Sequence, residues 1–264
     1  MTRRRPRKAA ARLRILPAAS VLLAALMLGS CGGAPEKFLA DVDPHDGVAR
    51  AHRLPVQGID VAKYQGDIDW NAVRNAGIAF AWIKVSEGGD HVDNRFYDNW
   101  EGAARAGVPR GAYHFMYWCR TASEQAVWFT QAVPQDASAL PPVLDLEWNH
   151  ASKTCPGKIG KETAIAKIDT LLAVMEAHTG KRPVIYTDIS FHRDVLEGSY
   201  KGYEFWLRSV AAEPHERFAN RPWTFWQYTA TGRVAGIKGD VDRNAFNGSP
   251  ADWQRWLRTR GVIQ

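Results

Sequence analysis

From Val56 onward the chain alternates short apolar runs with longer amphipathic stretches, and this alternation limits the folds open to it. The short runs that read as strands are Gln57–Val61, Ala79–Val85, Arg110–Phe115, Pro142–Glu147, Pro183–Thr187, Phe205–Val210 and Thr224–Tyr228, with a last short one near Lys238–Arg243. Between the early ones lie helical stretches at Trp70–Ala76, Arg95–Ala106, Ser123–Ala132 and Glu162–Thr179, the last followed by Gly180, a residue suited to ending a helix. Strands that alternate with helices form parallel sheets. Eight of them in one uninterrupted stretch predict an α/β fold with a single closed, TIM-like barrel, compact because its later helices are short or missing.

The formal charge of +6 suggests a nucleic-acid partner until its location is considered. Arg3, Arg4, Arg5, Arg7, Lys8, Arg12 and Arg14 crowd the first 30 residues, which contain no acid. The remaining residues carry 27 Lys and Arg against 28 Asp and Glu, so the body has no electrostatic footprint for phosphate, and nucleic acid is excluded as a partner.

The basic start, the apolar run from Ile15 to Leu28 and the small residues after it read as an export signal over residues 1–30. The run is shorter than the roughly 20 residues a membrane-spanning helix needs, although an uncleaved N-terminal anchor is the competing reading. Leu28-Gly-Ser-Cys31 resembles the lipobox of bacterial lipoproteins, in which the cysteine is lipidated and becomes the first mature residue. Lipid on Cys31 would hold the protein to a membrane leaflet. With Gly32 rather than Asp following, the resemblance implies the periplasmic face of the outer membrane in a host with two membranes. Residues 31–55, rich in Gly, Pro and small side chains, read as a flexible tether. That leaves Cys119 and Cys155, each just beyond a strand end, as a disulfide pair in an oxidising compartment; two free thiols are the alternative.

In a barrel of this type chemistry collects at the carboxyl ends of the strands. Asp60, Asp145, Glu147, Asp188 and Asp242 fall there. Asp145 and Glu147 are two apart on one strand, so their side chains point the same way with backbones about 6.6 Å apart. Burying two such acids in Pro-Pro-Val-Leu-Asp-Leu-Glu-Trp is costly without a function and raises the pKa of one of them. A raised carboxyl beside an ionised one is the pair that glycosidic cleavage requires. A carboxylate site for a hard cation is the competing reading. For Asp60 or Asp188 taken singly, a solvated strand-end acid or a helix cap suffices.

These residues resemble glycoside hydrolase family 25, the Chalaropsis-type lysozymes or N-acetylmuramidases. The resemblance runs through Gly58-Ile-Asp-Val-Ala-Lys-Tyr-Gln-Gly66, Phe80-Ala-Trp-Ile-Lys-Val-Ser-Glu-Gly88, Gly111-Ala-Tyr-His-Phe115, Pro142-Val-Leu-Asp-Leu-Glu147, Val184-Ile-Tyr186, Phe225-Trp-Gln-Tyr228 and Gly239-Asp-Val-Asp-Arg-Asn-Ala-Phe246. It implies a flattened (β/α)5(β)3 barrel over residues 56–264, no cofactor, no metal, and the glycan strands of peptidoglycan as partner. The bond cut would be the β-1,4 linkage between N-acetylmuramic acid and N-acetylglucosamine. Glu147 matches the general acid, Asp145 its partner on the same strand, and Asp60 and Asp242 the acids that complete the floor. Lys84 and Glu87 are expected at the rim, and Tyr113, Tyr186, Trp206 and Gln227 at the sugar, although barrel packing would equally explain each aromatic. His114 and His150 read as scaffold. An N-acetylglucosamine-polymer hydrolase of chitin type and a non-catalytic peptidoglycan-binding lipoprotein are the competing functions.

Overall fold

The computed structural model describes residues 39–263. The predicted signal at 1–30, the predicted lipidation site Cys31 and the first part of the predicted tether lie outside them.

The strands are β1 (Leu39–Asp41), β2 (Gln57–Val61), β3 (Ile78–Glu87), β4 (His91–Val92), β5 (Arg110–Phe115), β6 (Val143–Leu146), β7 (Val184–Thr187), β8 (Glu204–Arg208), β9 (Phe225–Val234) and β10 (Val241–Phe246). The helices are α1 (Ala49–Arg53), α2 (Trp70–Asn75), α3 (Phe96–Ala106), α4 (Ala122–Ala132), α5 (Lys161–Thr179), α6 (Ile189–Phe191, continuing as a π-helical turn to Leu196), α7 (Pro214–Arg217) and α8 (Pro250–Thr259). Strands β2, β3, β5, β6, β7, β8 and β9 pair in parallel in that order. Strand β10 pairs antiparallel with both β9 and β2, which closes an eight-stranded barrel. Substantial helices follow the early strands and dwindle after β7, as the thinning helical pattern predicted.

The interior is packed with rings at its amino end. Phe80, Trp82, Val143, Val184, Trp206 and Phe225 are buried there, and Trp82 stacks on Trp206 at 4.8 Å. Glycine makes the room. A Cβ on Gly58 would stand 2.2 Å from the Phe80 ring, and one on Gly111 would stand 2.7 Å from Trp82 Nε1. The last helix closes that end. Ser249 caps α8 by accepting from Asp252 N, Pro250 starts it, and Trp253, Trp256 and Leu257 turn inward, with Trp256 5.3 Å from Phe225. Burying two indoles in this way contributes several kcal/mol.

The tether expected over 31–55 is corrected for its second part. Leu39–Asp41 hydrogen-bonds along the far end of β9, and Val48 and Ala51 are fully buried against Trp226, Tyr228 and Ala245. Gln57 Nε2 fastens α1 by donating to the carbonyls of Ala51 (2.9 Å) and Leu54 (2.8 Å). The composition suggested a linker, but a free sheet edge and an apolar barrel face supply the partners that order the segment.

Candidate active site

Side chains alternate across a strand, so each barrel strand contributes every second residue to the interior. On β3 these are Phe80, Trp82 and Lys84; on β6 Val143 and Asp145, with Glu147 just beyond; on β8 Trp206 and Arg208; and on β9 Phe225 and Gln227. Each series is apolar at the amino end and becomes polar at the carboxyl end. The polar ends enclose a cavity of about 370 Å³. Asp242 reaches it from the start of β10, because that strand runs antiparallel and pairs Asp242 with Asp60. All four predicted acids, Asp60, Asp145, Glu147 and Asp242, line the cavity, as do Lys84, Tyr113, Tyr186, Trp206 and Gln227.

A hydrogen-bonded chain holds the floor. Tyr186 Oη donates to Gln227 Oε1 (2.8 Å), which fixes the amide so that Gln227 Nε2 donates to Asp60 Oδ1 (3.0 Å). Asn244 Nδ2 donates to the same oxygen (2.8 Å), and Asn244 Oδ1 accepts from Trp206 Nε1 (2.8 Å). Burial pushes the Asp60 carboxyl up to about 6 even against these two donors. Burial pushes Asp242 further, to about 8, with the Asp60 charge adding to it. Trp206 therefore has a structural role, stacked on Trp82 and bonded to Asn244, while its upper edge borders the cavity.

The pair on β6 is held differently. Burial and the neighbouring Glu147 charge raise Asp145 well above the usual carboxylate range, while Lys84 pulls it down. Asp145 Oδ1 is buried and has no hydrogen-bond partner among the described residues. Burial also raises Glu147; Asp188 adds to the effect, and Arg208 and the Tyr186 hydroxyl oppose it. Asp188 is an N-cap, accepting from Phe191 N (2.7 Å) and Ser190 Oγ (2.9 Å), so the plain reading of that acid holds for its contacts. Its charge nonetheless reaches Glu147, because Leu146 on β6 pairs with Thr187 on β7.

Glu87 is the one predicted site residue that does not line the cavity. A bulge between Lys84 and Ser86 shifts the phase of β3, which turns Ser86 to His114 and brings Glu87 to the side of Lys84, where it pairs with the ammonium next to the cavity. His114 is a buried scaffold residue between Ser86 Oγ (2.8 Å) and Gln125 Oε1 (3.1 Å), and burial pushes it down to about 4. His150 is exposed. Three residues that sequence reading missed belong to the site. Arg208 and Phe115 line the cavity, and Asn244 holds Asp60. Arg208 stands two residues past Trp206, so strand period alone would have found it.

The loops above the cavity are stapled. Cys119 and Cys155 form the expected disulfide, with Cα atoms 5.6 Å apart. Beside it Asn149 Oδ1 accepts from Trp118 N (3.0 Å), and Asn149 Nδ2 donates to the Met116 carbonyl (2.8 Å). A larger cleft of about 460 Å³ lies near the amino ends of β8 and β9, lined by Tyr203, Phe218 and Arg221, but it gathers no cluster of carboxylates.

The model for glycosyl hydrolases family 25 matches residues 59–237. The chain is 40% identical over 205 residues to lysozyme M1 of Streptomyces globisporus, covering 74% of this chain and 69% of that protein. It is 30% identical over 251 residues to an N,O-diacetylmuramidase of Arthroderma benhamiae, covering 90% and 98% of the two chains. Among solved structures, a family 25 glycosyl hydrolase from Bacillus anthracis matches with a TM-score of 0.72 and 31% identity, over 82% of this chain and 98% of its own. A lysozyme from Streptomyces coelicolor matches with a TM-score of 0.66 and 40% identity, over 78% and 97%.

Proposed function

Since this chain belongs to family 25 of the glycosyl hydrolases, we propose that it is a muramidase, cutting the β-1,4 bond from N-acetylmuramic acid to N-acetylglucosamine in peptidoglycan with Glu147 as the acid. Glu147 gives its proton to the glycosidic oxygen as the bond to the anomeric carbon breaks. The acetamido carbonyl oxygen of the muramic sugar bonds to that carbon, and Asp145 accepts the acetamido N–H and holds it in place. Glu147, now a carboxylate, takes a proton from water, and the water oxygen attacks the anomeric carbon and opens the cyclic intermediate. Asp60 and Asp242 complete the acidic floor.

The observation that carries this reading is the buried Asp145 Oδ1 without a partner in a cavity lined by four acids. An orphaned buried acceptor costs about 1–3 kcal/mol, which a bound N–H donor relieves. Two acids on the same side of one strand are also poorly placed to flank a sugar from opposite faces, which favours the substrate's own acetamido group as nucleophile.

The test is to incubate the purified full chain and its Glu147→Gln variant with peptidoglycan and with chitin. New muramic-acid reducing ends, reduced at least about 100-fold in the variant, are the expected result. Turnover of chitin alone would move the assignment to N-acetylglucosamine polymers, and binding without turnover to a non-catalytic binder. A sugar ester trapped on Asp145 would overturn the assisted route.

The leader places this activity outside the cytoplasm, anchored through lipid on Cys31 to a bacterial membrane, at the periplasmic face of the outer membrane where the cell has one. Incorporation of a labelled fatty acid that is lost in Cys31→Ala tests it.

A further inference from the structure

Two cations reach into the carboxylate-lined cavity, and they differ in one respect. The Lys84 ammonium is already matched by Glu87. The Arg208 guanidinium, at the last residue of β8, borders the same cavity and is half-buried. Among the described residues no side chain hydrogen-bonds or ion-pairs with it. Burial disfavours its charge, and Tyr186, Glu147, Asp242 and Asp188 outweigh that from a distance. A guanidinium offers five N–H donors in a planar fork that fits a carboxylate through two parallel bonds. Half-exposed at the cavity edge, the Arg208 fork keeps its donors available to a ligand carboxylate.

Resting on the muramidase reading, we infer that Arg208 binds the carboxylate of the substrate's lactyl ether, and that the preferred substrate is therefore glycan already stripped of its peptides. The sugar rings offer only hydroxyls and acetamides. The lactyl ether of muramic acid is the one carboxyl-bearing group on the glycan, and it is a free carboxylate only where no peptide is attached. With a peptide attached, the same carbon is an amide carbonyl, uncharged and with a single oxygen. The reaction that must supply this substrate is thus an amide hydrolysis releasing the peptide from the lactyl group.

The experiment compares two forms of peptide-free glycan strands: one with free lactyl carboxylates, and one with the carboxylates converted to methylamides by carbodiimide coupling. The full chain, Arg208→Gln and Arg208→Lys are each assayed at their own pH optimum. The full chain should favour the free carboxylate in kcat/KM by about tenfold or more, the range for hydrogen bonds to charged groups. Arg208→Gln should lose that preference and Arg208→Lys should keep part of it. No preference in the full chain, or one that survives in Arg208→Gln, overturns the inference; the latter would make Arg208 a tuner of its acidic neighbours, shifting the pH profile alike on both strands. In parallel, N-acetylmuramic acid and N-acetylglucosamine are titrated into the full chain and Arg208→Gln. Binding that favours N-acetylmuramic acid and depends on Arg208, without turnover of either strand, keeps this inference and removes the muramidase reading. Equal turnover of both strands does the reverse, and neither binding nor turnover overturns both.

Discussion

The Trp118 indole nitrogen donates to the backbone carbonyl of Glu147 at 2.6 Å. Glu147 lies past the end of β6, where the ladder no longer fixes the chain, so this bond takes over the task. Trp118 itself is almost fully buried and stacks on Phe191 at 4.7 Å. Replacing Trp118 with Phe preserves most of that packing and removes the donor. The expected result is kcat lowered about tenfold with KM little changed, and about 1 kcal/mol of stability lost, the usual size of one such bond. Steady-state kinetics and thermal melts check it, and a change confined to KM would count against a positioning role.

Asp188 raises Glu147 through its charge while capping α6 through its shape. Asn caps a helix as well as Asp does, so Asp188→Asn separates the two effects. Without the charge, Glu147 should release its proton at lower pH. The alkaline limb of kcat/KM should move down by up to about one unit, with the melting temperature nearly constant. A limb that does not move would show that Asp188 is only a cap.

Burial lifts Asp242 to about 8, and an unfolded carboxyl titrates near 3.9. Between those values the folded chain holds a proton that the unfolded chain has released. The contribution of this group to stability is therefore greatest below about pH 4 and falls as pH rises to about 8. Asp242→Asn should remove that loss, stabilising the protein by on the order of 2 kcal/mol or more at pH 8 and by little at pH 4, while lowering activity. Calorimetry at the two pH values checks it; a gain equal at both would mean that burial of the charge is not the cause.

Much of the barrel could be read directly from the residues. Gln57–Val61 and Arg110–Phe115 were placed to the residue, because glycine and proline punctuate them and their alternation is clean. Period two put Asp145 and Glu147 on one side, and the same rule would have delivered Arg208. It does not account for Glu87 beside Lys84, three residues away, because a bulge is a property of the pairing between strands and leaves no mark on one strand's pattern. The last helix had its own signal, Ser249-Pro-x-Asp252 followed by inward Trp253, Trp256 and Leu257. Strand β1 had none. Three residues become a strand only because β9 extends past its other partners and offers a free edge.

That short strand also sets a reach. Leu39 pairs with Val234, seven residues beyond Gln227 along β9, so the chain joins the barrel at the end where the acids open. If Cys31 is lipidated as proposed, the eight residues onward to Leu39 span at most about 29 Å when fully extended. The enzyme would work on a leash, its mouth kept near the membrane, trimming the strands that lie closest to that surface and leaving those farther out untouched.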